Sequence, residues 1–371
     1  MEYISCFSGI GGLEGSLAPK AVCEIDEECR ELLSLRFPEA KQFNDIRTMD
    51  GIEAEVIVGG WPCQDLSVAG KQAGLQGENS GLFYSFIDAA NEIKAQTLIA
   101  ENVTNLLRMD KGAVFFEVLI ELKKRGFGYC SWRVINARQF GLPHHRNRVF
   151  LIASRDIQRC YSLFRDLPEI DRKTSDTKAA GFYWTAGSQS ICFSKGYVPT
   201  IKIGSTLKIA SPPAVFYGDT VRKLSSNEAL QLQGFSPEHF SNFADSTKFK
   251  MAGNAVAKPI GQFVVDGVIS GDTFNAPELA PSQTDFFGNS IPSGGMPEAG
   301  FFDGETISRV QLGKKMLLAN NLGDFLDTAI NQRLSARAAS GLLRRLDKSG
   351  HSCPDELKLH LERLAKENAH V

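Results

Sequence analysis

At 371 residues the chain exceeds one typical domain, so a sizeable core with one or two appended units is expected. Hydrophobic residues make up 43% and charged residues 23%, and no apolar run reaches the roughly 18 residues of a membrane span, which excludes a spanning helix. The formal net charge of -2 excludes a globally basic nucleic-acid binder, so any such binding must use local patches.

The first stretch, MEYISCFSGIGG, has no basic patch ahead of a long apolar core. It does not read as a signal peptide, and a cytoplasmic location is expected. Through residue 155, the apolar runs YISCF, AVCEI, EVIVGG, TLIAEN and RVFLIAS alternate with the helix-like segments EECRELLSLRF, LFYSFIDAANEI and AVFFEVLIELKKRGF. Near-continuous apolar strands separated by helices predict the α/β class: a doubly wound, mostly parallel sheet covered on both faces, over 1–155. Residues 156–219 break into short aromatic, Ser/Thr/Gly and Pro-containing pieces, which predict a small, irregular, strand-rich second domain. At 220–271 helical patterning resumes. Ser226 is placed to cap SSNEALQLQGF, with Asn227 and Glu228 in the first turn, and GNAVAKPIGQFVVDGVI is expected to return to the first domain. Residues 272–304, rich in Gly, Pro, Ser, Phe and Asn, read as a linker or strap, and 305–371 as a helical C-terminal extension.

Ligands of doubly wound folds gather outside the carboxyl ends of the strands. YISCF runs into Gly9, Gly11 and Gly12, a turn that lets backbone approach a ligand closely, although such turns also occur as plain structure. Glu24 ends the second apolar run, where this fold grips ribose hydroxyls, and Asp45 follows in NDI. The plainer alternative is that Glu24, Asp26, Glu27 and Glu28 only favour a helix amino terminus. Cys63 follows EVIVGG. Free cysteines are usually buried and inert; here Pro62 stiffens the approach, and QDLSVAGKQAGLQGENSG is too polar and glycine-rich to bury, as functional loops are. The eight cysteines form no Cys-x-x-Cys pair and no Cys/His cluster at metal spacing, against both a zinc site and a disulfide framework. Glu101 ends TLIAEN, where a buried carboxyl can move a proton or, more plainly, cap a helix. Arg146 and Arg148 alternate onto one face, as a fork of donors for phosphate or carbonyl oxygens or as solvated charge. His144 and His145 lack partners at metal spacing and read as loop residues.

In chain order FSGIGG, EID, NDI, GGWPCQDLS, SGLFYSF, AENV, HHRNR, RKLSSNEALQLQGF and GNAV resemble the cytosine-5 DNA methyltransferase family, of bacterial or phage type, from Tyr3 to the end of the 220–271 segment. The resemblance implies a Rossmann-like methyltransferase fold, with 156–219 as target-recognition domain, S-adenosylmethionine as cofactor and no metal. Phe7, Gly9, Ile10, Gly11 and Gly12 would line methionine and ribose, Glu24 with Ile25 the ribose, and Asp45 with Ile46 the adenine. Leu82, Asn254 and Val256 would complete that pocket. Cys63 would attack carbon 6 of a flipped cytosine, Glu101 protonate ring nitrogen 3, Arg148 hold the exocyclic oxygen, and Arg146 hold the loop or backbone. Double-stranded DNA is the implied partner, with Gln64, Ser67, Lys71 and Thr200 as contacts. The implied setting is a bacterial cytoplasm or phage-infected host, in restriction–modification or as an orphan enzyme.

Three positions depart from the family. Ser5 stands where it commonly has an acid, Ile25 where an aromatic often follows the ribose-binding Glu, and VPTI matches its Thr-Leu signature only loosely, through Thr200 and Ile201. A tRNA-methylating branch is the alternative within the family, but its Cys-Phe-Thr tripeptide is absent here. A catalytically silent DNA-binding relative would be expected to have lost Cys63, Glu101, Arg148 or the glycines. The C-terminal extension has no counterpart in the family core. Its Arg333, Arg337, Arg344, Arg345 and Lys348 read either as the solvated face of a helical hairpin or as a contact for DNA or a second copy.

Overall fold

In the computed structural model, which describes residues 1–62, 81–170, 179–183, 192–202, 213–218, 220–280, 295–312, 320–330, 333–349 and 353–366, the amino-terminal apolar runs form adjacent strands of a ten-stranded sheet. Contacts divide the chain into two units, the first made of residues 1–135, 147–167 and 256–315, the second of 136–146, 168–255 and 316–371. The first unit begins with β1 (Tyr3–Cys6), β2 (Ala21–Cys23), α1 (Glu27–Arg36), β3 (Lys41–Phe43), β4 (Val56–Gly59), α2 (Gly81–Glu92) and β5 (Thr97–Val103). It continues with α3 (Ala113–Lys124), β6 (Tyr129–Asn136), β7 (Asn147–Ser154) and α4 (Ile157–Tyr161). The second unit holds β8 (Ala180–Phe182), β9 (Ser194–Lys195), β10 (Ala214–Tyr217), β11 (Thr220–Lys223), α5 (Ser226–Gln231) and α6 (Asp245–Asn254). The chain then returns to the first unit with α7 (Lys258–Ile269), β12 (Leu279–Ala280), β13 (Ala299–Phe302) and β14 (Ile307–Val310), and α8 (Ala336–Ser349) and α9 (Asp355–Lys366) close the second.

The large sheet runs β12-β14-β13-β6-β7-β5-β4-β1-β2-β3. From β3 to β5 the neighbours are parallel, and chain order reverses at β1, which lies between β2 and β4. That reversal opens the crevice where doubly wound folds bind ligands. β1, β4 and most of β5 are buried, as their β-branched and apolar composition demands. α2 buries Phe83, Phe86, Ile87 and Ala90, the i, i+3, i+4, i+7 stripe of a helix covering a sheet. α1 starts where Asp26 accepts from Cys29 N at 3.1 Å, with Glu27 and Glu28 in its first turn and Arg36 in its last.

The structure departs from the sequence reading in several places. The strap at 272–304 is structured at both ends: β13 pairs antiparallel with β6, and β12 with β14. Gly300 makes this docking possible, since a Cβ there would lie 2.2 Å from the Trp132 indole, which donates to Pro297 O at 2.9 Å. Within 305–371, expected to be helical, Ile307–Val310 instead form β14. GNAVAKPIGQFVVDGVI returns to the first unit from Val256 on, while α5 and α6 group with the second unit. Ser225, not Ser226, caps α5, in a reciprocal box with Glu228, while Ser226 turns its hydroxyl to Asp245. Among the described residues, no helix is long and apolar enough to cross a membrane.

Candidate active site

Register fixes what meets at the crevice. Cys6 is level with Cys23 on β2 and with Gly59 on β4, and Gly59 with Ala100 on β5. Phe7, Glu24, Gly60 and Glu101 therefore all stand one residue beyond a common row, at the carboxyl ends of four adjacent parallel strands.

On one side the chain leaves β1 through Phe7 at φ 50°, Gly9 at φ 54° and Gly11 at φ 79°. Positive φ is costly for Phe7, and such strain recurs at ligand-binding turns. The Glu24 carboxylate accepts from Gly9 N at 2.7 Å and Asp26 N at 2.9 Å, which ties the turn to the end of β2. Open space surrounds the position a Cβ on Gly9 would take, whereas one on Gly12 would lie 2.3 Å from Val256 O. Gly12 and Val256 thus touch backbone to backbone. Ile10 and Ile46 are buried, Leu82 half-buried, and Asn254 exposed at the end of α6. Ile25 is 74% exposed. Asp45 caps the turn after β3 and is gripped by Arg47, which holds its carboxyl below the usual range. To accept from an adenine amino group, it must share or release that arginine.

Sequence reasoning missed Arg36. From the last turn of α1 its guanidinium donates to Ile10 O and to Gly11 O, the latter at 3.0 Å, and so props the glycine turn from beneath. A basic residue closing a helix was visible, but not its target. Glu14 was missed as well: it is buried, accepts from Ser5 Oγ at 2.7 Å, and burial pushes its carboxyl up to about 7. Ser5, the position where an acid was missed in sequence, thus hydrogen-bonds an acid nine residues on.

On the other side of the crevice, Glu101 and Arg148 form an ion pair, Nε to Oε1 at 2.8 Å, with side chains only 11% and 16% exposed. Val103 lies opposite Arg148 in the β5–β7 ladder, so Glu101 and Arg148 are diagonal neighbours on one face. Glu101 Oε2 lies 2.9 Å from where a Gly60 Cβ would stand. Asn102 donates to Trp61 O at 3.2 Å, fixing the chain just before Pro62. Cys63, Gln64, Ser67 and Lys71 lie outside the described residues. Five of the seven described cysteines are buried, and burial raises thiols such as Cys23, to about 12, which keeps them protonated and poorly nucleophilic.

The arginine pair divides its work. Arg146, 1% exposed, belongs to the second unit and donates to Gly253 O at 3.1 Å and Ala255 O at 2.7 Å. Its guanidinium ties backbone. Thr200 donates to His145 O at 2.6 Å, and buried His144 accepts from Ile201 N at 3.0 Å. The Thr-Ile pair is thus stitched to the loop before β7. His144 is structural, which its sequence setting did not show.

A family model described as C-5 cytosine-specific DNA methylase matches residues 1–180. Type II methyltransferase M2.BsuMI of Bacillus subtilis (strain 168) is 31% identical over 375 residues, covering 93% of each chain. Type II methyltransferase M.NgoBI of Neisseria gonorrhoeae is 28% identical, covering 70% of this chain and 90% of its own. The solved structure of S. pombe Dnmt2 methyltransferase aligns with a TM-score of 0.50 at 14% identity, over 73% of this chain and 98% of that one, a likeness of fold.

Proposed function

This chain belongs to the C-5 cytosine-specific DNA methylase family and is a DNA cytosine-5 methyltransferase; we propose that it acts on a cytosine flipped out of duplex DNA, within a short recognition sequence, using Cys63 as nucleophile. The buried Glu101–Arg148 pair carries the reading, because it stands beside Gly60, from which the chain runs on to Cys63.

Carbon 5 of cytosine is a poor nucleophile and must first be made electron-rich. A bond from the Cys63 thiolate to carbon 6 does this, moving the pair of the 5,6 double bond toward carbon 5. Negative charge spreads to ring nitrogen 3; Glu101, entering the step as the protonated acid, supplies that nitrogen with a proton, while Arg148 holds the exocyclic oxygen. S-adenosylmethionine, when bound, supplies the methyl group. Water then takes the carbon 5 proton, the pair of that bond re-forms the 5,6 double bond, the carbon–sulfur bond breaks with its pair returning to Cys63 as thiolate, and ring nitrogen 3 gives its proton back to Glu101, which restores the aromatic ring. A base stacked in the duplex cannot be reached, so the target is extruded at a cost of a few kcal/mol.

The turn suits the cofactor. Open space at Gly9, backbone packing at Gly12 and the Glu24 carboxylate make a cradle with an acid where a ribose is gripped. Phe7, Ile10, Gly11, Ile46, Leu82, Asn254 and Val256 would complete it. Arg146 is a positioning residue, and Thr200 positions the loop that bears it. Gln64, Ser67 and Lys71, in the segment after Cys63, are the proposed DNA contacts. The names of the type II relatives support a role beside a restriction endonuclease; the alternative is an orphan modifier, and the proposed location of either is the cytoplasm.

Purified protein should transfer labelled methyl groups from S-adenosylmethionine to duplex DNA, and preferential labelling of tRNA would overturn the reading. Glu101→Gln should lose most of its rate while still binding cofactor; an undiminished rate would remove Glu101 from the chemistry.

A further inference from the structure

The second unit ends in two helices that the catalytic chemistry does not use. Both bury an apolar face on the sheet that β11, β10, β8 and β9 form in that order: Leu342, Leu346, Leu357 and Leu361 pack with Phe182 and Phe216. Just ahead of α8 the chain runs beside β11, where Leu334 N donates to Val221 O at 3.1 Å. The extension is therefore built into this sheet and is not a separate appendage.

The outward faces of the two helices differ. α8 carries Arg337, Arg344, Arg345 and Lys348 against Asp347 alone, whereas α9 balances Lys358, Arg363 and Lys366 with Asp355, Glu356 and Glu362. Arg337, Arg344 and Lys348 are exposed. Their spacing places them in one narrow stripe of a helix with about 3.6 residues per turn, opposite buried Ala339, Leu342 and Leu346. The stripe spans about 16 Å of helix axis. Duplex DNA carries one negative charge per about 1.7 Å of its own axis, both strands counted, so a stretch of this length carries on the order of ten phosphates, of which those on one side can meet the stripe.

We propose that the outward face of α8 binds the phosphate backbone of the DNA substrate through Arg337, Arg344 and Lys348. The inference rests on the reading of the chain as a DNA methyltransferase and adds a contact outside the catalytic crevice. Such contacts fix orientation and add affinity without reading bases. A second copy fits the face poorly, because a two-fold interface centred on it would set the same cations against each other.

The test compares the full chain with Arg337→Gln/Arg344→Gln/Lys348→Gln and with the control Lys358→Gln/Arg363→Gln/Lys366→Gln, titrating a duplex across a salt series. Each lost phosphate contact lowers the slope of log Kd against log salt by about 0.9, so the α8 variant should lose about 2 to 3 units of slope. Its affinity should fall equally for duplexes with and without a methylation site. The α9 variant should match wild type, and the charge-conserving Arg337→Lys/Arg344→Lys should keep the wild-type slope. An unchanged slope in the α8 variant, or an equal drop in the α9 variant, overturns the proposal. So does light scattering that shows a wild-type dimer split by the α8 changes. If wild type methylates no DNA, the functional reading itself fails; if it methylates DNA and the slope does not move, only this contact fails.

Discussion

Gly12→Ala tests the cofactor cradle at the level of a single methyl group. Gly12 is not among the residues at positive φ, so its backbone tolerates alanine. The obstacle is space: the new Cβ would lie 2.3 Å from Val256 O, where ordinary contact begins near 3.4 Å. The turn or Val256 must retreat by about 1 Å, and overpacking of this kind costs about 1–3 kcal/mol. If the turn yields, cofactor Kd rises roughly 5- to 150-fold. Gly9→Ala makes the opposite case, with open space at its Cβ and only its φ of 54° to accommodate. That backbone cost is about 1 kcal/mol, or roughly fivefold. Calorimetric titration of S-adenosylmethionine into both variants should rank Gly12→Ala as the weaker binder. Wild-type affinity for Gly12→Ala, or the reverse ranking, would refute the claim that close packing on Val256 shapes the site.

Further outcomes follow from buried charges and from Gly60. Burial raises Glu14 from 4.5 to about 7, against the lowering effects of Ser5 and Arg36. Between those values the folded chain keeps a proton that the unfolded chain has released. The group's contribution is therefore whole below about pH 4.5 and lost as pH rises to about 7, a change of about 3 kcal/mol. Urea unfolding at pH 5 and pH 8 should show this loss in wild type and not in Glu14→Gln, and equal losses would contradict it. Arg222 and Glu228 form a buried pair at 2.6 Å, with Glu228 also accepting from Ser225 N and Asp327 N. Arg222→Met strands that carboxylate and should cost about 3–5 kcal/mol, read as a lowered Tm, while Arg222→Met/Glu228→Met should recover much of it. Gly60→Ala would press on Glu101 Oε2 from 2.9 Å while Arg148 holds the same carboxylate. Single-turnover rates should fall about tenfold with cofactor affinity retained, and an unaltered rate would contradict that coupling.

The parallel half of the sheet was legible because fully buried strands are continuous apolar runs, as in VIVG of β4 and TLIA of β5. β3, KQF, carries little apolar signal and exists through its pairing to β2. β13 was hidden for a related reason: AGFF sits in a Gly- and Pro-rich stretch, and its partner β6 lies more than 160 residues earlier. Glu101 was readable as an acid ending a strand, but its ion pair with Arg148 needed the β5–β7 register. Alternation put Arg146 and Arg148 on one face, yet it could not show that Arg146 spends its donors on backbone carbonyls. Arg36 and Glu14 act through groups distant in sequence, which no local pattern encodes.

The central claim is that Cys63 bonds to carbon 6 of a cytosine. Duplex DNA carrying 5-fluorocytosine at the methylated position tests it directly, because fluorine replaces the proton whose loss releases the enzyme. In the presence of S-adenosylmethionine, a denaturant-resistant protein–DNA adduct should form, and peptide mass spectrometry should place it on Cys63. No adduct on DNA that the protein otherwise methylates, or an adduct at another residue, would contradict the account.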